Sequence, residues 1–116
     1  MANAVRGQVS LKAGDTIYTL CLSANAMCSL EEHTGRDIGA IAASLNGDGV
    51  SMLTVRSLVW AALQDHHPEI DIKGAGRIIT EAGMSACMEA IGAAFQRAFP
   101  DAEVKDSLNP QKAKVG

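Results

Sequence analysis

The spacing of apolar residues changes once along this chain, and that change limits the folds it can adopt. In residues 5–11 the apolar positions Val5, Val9 and Leu11 alternate with polar ones, and residues 16–22 (TIYTLCL) are rich in β-forming side chains. A period of two is typical of half-buried strands. The turn-forming residues 12–15 (KAGD) lie between the two segments, so the pattern predicts a β-hairpin.

After Ser23 the apolar residues recur with the period of an α-helix, in segments separated by capping and helix-ending residues. The sequence therefore predicts an α+β fold, an N-terminal β-hairpin followed by about five short α-helices. We expect residues 1–99 to form one domain and the polar residues 100–116 to form a flexible C-terminal tail. The predicted helices cover residues 24–34, 38–45, 54–66 (with Ser51 or Thr54 as N-cap), 72–82 and 85–99. Ser23 and Asp37 are the predicted N-caps of the first two helices, and Gly35 is predicted to end the first. The predicted inward residues of the third helix are Val55, Leu58, Val59, Ala62 and Leu63.

Composition and charge disfavour several kinds of partner. The formal net charge is −3 and aromatic residues make up only 3% of the chain, so neither a basic face nor a set of base-stacking rings is indicated. No stretch approaches the roughly 18 apolar residues of a membrane span, and the first residues have no apolar signal segment. We therefore expect a cytoplasmic protein that binds neither nucleic acid nor membrane.

Three cysteines, Cys21, Cys28 and Cys87, occur without CxxC spacing. An odd number of cysteines at such positions does not form a disulfide framework. Buried free cysteine behaves as a small apolar residue, and this is the role that we predict for all three.

Two adjacent histidines, His66 and His67, follow the only tryptophan, Trp60, and precede Pro68. Neighbouring residues on a helix point about 100° apart, so the two rings cannot reach one metal ion from a regular helix. Pro68 favours an extended conformation at His67, and imidazoles are favoured near a helix C-terminus. We interpret the pair as part of a helix end, with a partner contact as the alternative and no metal site.

Other polar clusters lack the spacing of known catalytic or cofactor sites. Residues 31–33 (EEH) carry acid–base groups without a nucleophile beside them, and residues 46–49 (NGDG) lack the remainder of a calcium loop. Gly74 and Gly76 do not form a phosphate loop, and we expect them to permit close packing. The sequence therefore predicts no catalytic residues and no cofactor.

The order and content of several segments resemble a known family. The match covers about residues 5–95 and is carried by VRGQVSL, YTLCLSANAMCSLEEHTGRDI, TVRSLVWAALQDHHPEI and IITEAGM. The chain resembles the small tail-assembly proteins of gene transfer agents and related siphophage-like prophages. Members of that family are labelled tail tube or tail assembly chaperone proteins.

The resemblance implies a non-enzymatic role in building a long, non-contractile tail. Tail assembly chaperones keep the tape-measure protein soluble while tube subunits polymerise around it. We therefore expect the tape-measure protein as partner, with the tail tube protein as a second, in the cytoplasm of a bacterial host. As partner-contacting residues we hypothesise Trp60, Met84, His66 and His67, together with the tail.

Two other functions are left open by the sequence. One is a structural virion component, a tail tube or tail completion subunit, although such subunits usually carry more sheet than one hairpin. The other, less favoured, is a helix-turn-helix regulator built from helices 54–66 and 72–82, for which Lys73 and Arg77 are the only cations near the second helix start. The hairpin edge also allows pairing with another copy, so a homo-oligomer is a further alternative.

Overall fold

The computed structural model describes residues 7–45 and 50–99. Val5, residues 46–49 and the tail from residue 100 lie outside the described residues, so the domain boundary at residue 99 stays a prediction. An N-terminal hairpin precedes five helices, which confirms the predicted α+β class. The elements are β1 (Gln8–Ala13), β2 (Thr16–Cys21), α1 (Ala24–Thr34), α2 (Ile38–Ser44), α3 (Met52–Leu63), α4 (Ile72–Ala82) and α5 (Met84–Ala98).

The hairpin closes with a turn of only two residues. The strands are antiparallel with Ala13 opposite Thr16, so Gly14 and Asp15 alone form the loop. Gly14 has a φ of 63°, a left-handed conformation that two-residue hairpin turns require and that glycine adopts without strain. The prediction that Lys12 and Ala13 belong to the turn was wrong, because Ala13 continues the inward alternation of β1 and is buried.

One face of the hairpin rests on the helices. Leu11 and Ala13 of β1 and Leu20 of β2 are buried, and β1 packs against α4 and α5 while β2 packs mainly against α3. Because an isolated two-stranded hairpin is only marginally stable in water, the burial of this face against the helices stabilises it.

The helix α1 begins and ends at its predicted caps, and α2 begins at its predicted N-cap but ends at Ser44, one residue before the predicted Leu45. The hydroxyl of Ser23 accepts the N–H of Ala26, and the carboxylate of Asp37 accepts that of Ala40. Gly35 ends α1 in a left-handed conformation with a φ of 73°. Each cap satisfies a backbone group that the helix itself leaves unpaired.

The helix α3 is the centre of the core. Its predicted inward residues are all fully buried, and its other flank is enclosed as well, with Ala61 fully buried and Ser57 and Thr54 nearly so. It packs against α1, α4, α5 and β2. The predicted inward residues that the structure confirms are Val55, Leu58, Val59, Ala62 and Leu63.

The ends of α3 differ from the predicted range of 54–66. Ser51 is the N-cap, since its hydroxyl accepts the N–H of Thr54, and the helix therefore begins at Met52. Its last residue is Leu63, and residues 64–66 form a turn. Early termination is consistent with Pro68, which restricts the residue before it and so ends the helical path.

A sharp corner joins α4 to α5. Gly83 is both the C-cap of α4 and the N-cap of α5, with φ 95° and ψ 147°. The direction of the chain turns by 115° between the two helices. Glycine tolerates this conformation because it has no Cβ. The corner starts α5 at Met84, one residue before the predicted Ser85.

Two glycines bring α4 close to its surroundings, as predicted. A Cβ added at Gly74 would lie 2.9 Å from Cγ2 of Ile70, which is too close for an ordinary contact. A Cβ at Gly76 would lie 3.4 Å from Cδ of Arg56, so the stem of that arginine crosses α4 where the helix has no side chain.

Candidate partner-binding surface

The second histidine of the pair faces the protein's own hairpin. His67 is half-buried, and its Nε2 accepts the backbone N–H of Thr19 at 3.0 Å. Its ring also meets the ring of Tyr18 edge-on, with centroids 5.3 Å apart. Neighbouring residues of an antiparallel strand alternate between bonding to the paired strand and pointing away from it. Thr19 points away, so His67 covers the middle of the outer edge of β2.

The first histidine contacts the other strand. His66 is exposed, and its Nε2 lies 3.0 Å from Nε2 of Gln8 on β1. The two adjacent rings therefore reach different strands, although residues 8 and 66 are far apart in sequence. The predicted helix end is present, and it is also the point where α3 is tied to the hairpin.

The described ranges contain no group of three or more histidine, cysteine, aspartate or glutamate side chains placed to hold a metal ion. Each histidine directs Nε2 at a nitrogen of the hairpin, and not at a common point. A zinc site needs several ligands converging at about 2.0–2.3 Å, which this arrangement does not provide.

Trp60 lies at the crossing of α1 and α3. Its half-buried ring packs against the core and against the imidazole of His33, with ring centroids 5.0 Å apart. Its backbone carbonyl accepts a hydrogen bond from the Gln64 side chain, which also donates to the carbonyl of Ile70. The indole thus covers the edge of the core and keeps part of its surface in solvent.

The cluster formed by residues 31–33 (EEH) lies largely in solvent, with Glu32 and His33 exposed and Glu31 half-buried, and two of its side chains also make contacts within the fold. A carboxylate oxygen of Glu31 accepts the N–H of Ile38 at 2.8 Å, which stabilises the start of α2. His33 supplies the ring on which Trp60 packs.

Met84 lies apart from the other hypothesised contact residues. It is the first residue of α5 and is 38% exposed, whereas the contacts described for Trp60, His66 and His67 do not involve it. The structure therefore brings His66 and His67 together at the hairpin, whereas Met84 belongs to a different element, α5. Sequence reasoning missed two apolar residues that are more exposed than Met84, namely Ile17 (63%) and Leu53 (67%), and Met52 is also more exposed (55%).

In the comparison with protein families, the chain matches the family described as phage tail tube protein, GTA-gp10, over residues 6–101. This range is most of the chain. The protein belongs to this phage and gene-transfer-agent tail family. The match confirms the predicted relation to phage and gene-transfer-agent tail proteins. The description of the family names a tail tube protein. No curated protein and no solved structure gives a significant match.

In this tail-family protein, a groove of about 400 Å³ lies between the hairpin and α4. Its apolar lining comes from Tyr18, Ile70 and Ile78. Its charged lining consists of three carboxylates and one guanidinium, so the groove carries an excess of negative charge. The charged residues are Glu69, Asp71, Arg77 and Glu81.

The three cysteines of this tail-family protein differ in exposure. Cys87 is buried and Cys28 is exposed, so the prediction of an apolar core role holds for Cys87 and was wrong for Cys28. Burial raises the pKa of the Cys87 thiol. Burial, and secondarily the negative charge of Asp65, raise the pKa of the half-buried Cys21 thiol. Both shifts favour the unreactive thiol over the nucleophilic thiolate.

Among the described residues, no single helix of this tail-family protein has the length and apolar character needed to cross a membrane. The helices α4 and α5 reach the length and apolar composition of a membrane span only when they are counted as one segment, and the chain bends by 115° between them.

Proposed function

We propose that this protein is a non-enzymatic structural subunit of a phage or gene-transfer-agent tail, with the tail tube as its location. The observation that carries the proposal is the family match over residues 6–101, whose description names a tail tube protein. Within the acid–base cluster of residues 31–33, Glu31 accepts the Ile38 N–H at the start of α2 and His33 packs against Trp60.

The exposed apolar residues support a role in which the protein is covered by neighbours. Ile17 lies on the outer face of the hairpin, while Met52 and Leu53 form the first turn of α3. Each of the three exposes more than half of its surface. Burying apolar surface contributes about 25 cal/mol per Å², so contacts between tail subunits at these residues would stabilise an assembly.

Mass spectrometry of purified particles tests this proposal. A tube subunit is expected in mature particles at a copy number comparable with the other tube components. Particles that contain the other tail proteins but lack this chain would refute the structural role. Tails prepared from a strain with the Leu53→Asp substitution should be short or absent, whereas Gln96→Glu on the exposed side of α5 serves as a charge-matched control.

A second candidate, the tape-measure chaperone, is favoured by a different observation. The described residues contain one two-stranded sheet and five helices, and a tube subunit is expected to carry more sheet. A small helical protein with apolar edges suits the binding of an amphipathic helix. Under this candidate, Trp60, Met84, His66 and His67 contact the tape-measure protein in the host cytoplasm, and the chain is absent from finished particles.

Co-purification with the tape-measure protein tests the second candidate. Trp60→Ala should lower recovery of that protein, and circular dichroism shows whether the variant stays folded. His33→Ala is the matched control, since it removes the ring under Trp60 and leaves the indole in place. Equal recovery with wild type and Trp60→Ala would remove Trp60 from the contact surface.

A further inference from the structure

The hydrogen bond between Thr19 and His67 requires the neutral imidazole. The backbone N–H of Thr19 is a donor only, and it points at Nε2 of His67 at 3.0 Å. Nε2 must therefore offer a lone pair, which places the ring proton on Nδ1. Protonation would add a hydrogen to Nε2 and set two donors against each other.

We propose that His67 is a pH-sensitive tie between the end of α3 and the hairpin, closed when the ring is neutral and released when it is protonated. Release leaves the outward N–H of Thr19 without its partner, in the middle of the outer edge of β2. It also loosens the edge-on contact between His67 and Tyr18. An unpaired strand edge is a surface to which another strand can add, so release exposes a position that the neutral ring covers.

His66 responds differently, although it is the adjacent residue and also contacts the hairpin. Its partner is the side-chain amide of Gln8, with the two Nε2 atoms 3.0 Å apart. A glutamine amide carries both a donor and an acceptor, and a half-turn presents its oxygen to a protonated ring. A backbone N–H has no such alternative. The pH sensitivity therefore belongs to His67, and His66 tolerates both protonation states.

Charged groups around His67 come from its own segment and from the neighbouring elements. Asp65 and Glu69 flank it in sequence. The groove beside Tyr18 adds Asp71 at the start of α4 and Arg77 and Glu81 within it. Histidine ordinarily titrates between about pH 5 and 8. The tie is therefore present when the ring is neutral and is lost when the ring takes up a proton.

Amide hydrogen exchange measured by NMR tests the tie directly. The protection of the Thr19 amide, corrected for the intrinsic exchange rate, is compared at about pH 7.5 and about pH 5. We expect it to fall about three- to tenfold at the lower pH, as for loss of one ordinary hydrogen bond. The amides of Tyr18 and Leu20, which point towards β1, should change much less.

Two variants separate the histidines. In His67→Gln the side-chain oxygen can accept the Thr19 N–H without titrating, so the pH dependence should disappear. His66→Gln should retain the wild-type pH dependence. Constant Thr19 protection in wild type, or an unchanged pH dependence in His67→Gln, would overturn the proposal.

Nitrogen NMR of the His67 ring provides a test in the unaltered protein. At about pH 7.5 the ring should be the tautomer with hydrogen on Nδ1 and an unprotonated Nε2. A ring that carries its hydrogen on Nε2 at this pH would also overturn the proposal, whether or not the variants fold.

Discussion

The corner at Gly83 allows a test in which the same chemical change has opposite effects at two positions of the chain. Gly83→Ala places a side chain on a residue with φ 95° and ψ 147°, a conformation that other residues rarely adopt. The added Cβ would meet no atom within 4 Å, so the cost is one of backbone conformation alone. Such strain costs about 1–3 kcal/mol.

Gly92→Ala is the matched control. Gly92 is exposed in the interior of α5, and a Cβ there also meets no atom within 4 Å. Because glycine weakens a helix interior relative to alanine, this variant should be more stable than wild type by about 0.5–1 kcal/mol.

Thermal unfolding followed by circular dichroism measures both effects. For a chain of this length the entropy of unfolding is about 0.24 kcal/mol/K, so 1 kcal/mol corresponds to about 4 °C in Tm. Gly83→Ala should lower the Tm by about 4–12 °C, and Gly92→Ala should raise it by about 2–4 °C. A Gly83→Ala variant that melts at or above the wild-type temperature would show that the corner does not have this backbone conformation.

Three further outcomes follow from the core, a helix cap and the thiols. Leu58→Ala, in the fully buried part of α3, should lower the free energy of unfolding in urea by about 2–5 kcal/mol, and a loss below about 1 kcal/mol would contradict its place in the core. Glu31→Ala removes the acceptor of the Ile38 N–H and should cost about 0.5–2 kcal/mol, with stability equal to wild type as the contrary result. With a thiol reagent near neutral pH, Cys28 should react rapidly, whereas Cys87 should react only as the chain unfolds, because it is buried and its pKa is raised; equal rates would contradict this.

The helix α3 shows how far the apolar pattern can be used. Its period identified the face with Leu58, but not the burial of Ala61 and Ser57 on the other flank. Periodicity reports which side of a helix is apolar. Small residues such as alanine and serine fit either a surface or a close packing contact, and the contacts that enclose them come from distant elements.

The histidine pair shows the same limit for the candidate surface. Pro68 and the position of the pair after the apolar period were enough to predict a helix end near His67. The bond from Thr19 to His67 joins residues 48 positions apart, and no local pattern contains it. The exposure of Leu53 was missed for a related reason, because the sequence does not distinguish core from surface among apolar residues in the first turn of a helix.

The enclosure of α3 has a consequence for how the chain is made. The helix is translated before α4 and α5, and both of them cover its sides in the finished protein. While α5 is still inside the ribosome, part of the apolar surface of α3 is exposed to solvent. The nascent chain can then aggregate with other polypeptides through this surface. Premature stops within α5 should therefore yield insoluble product.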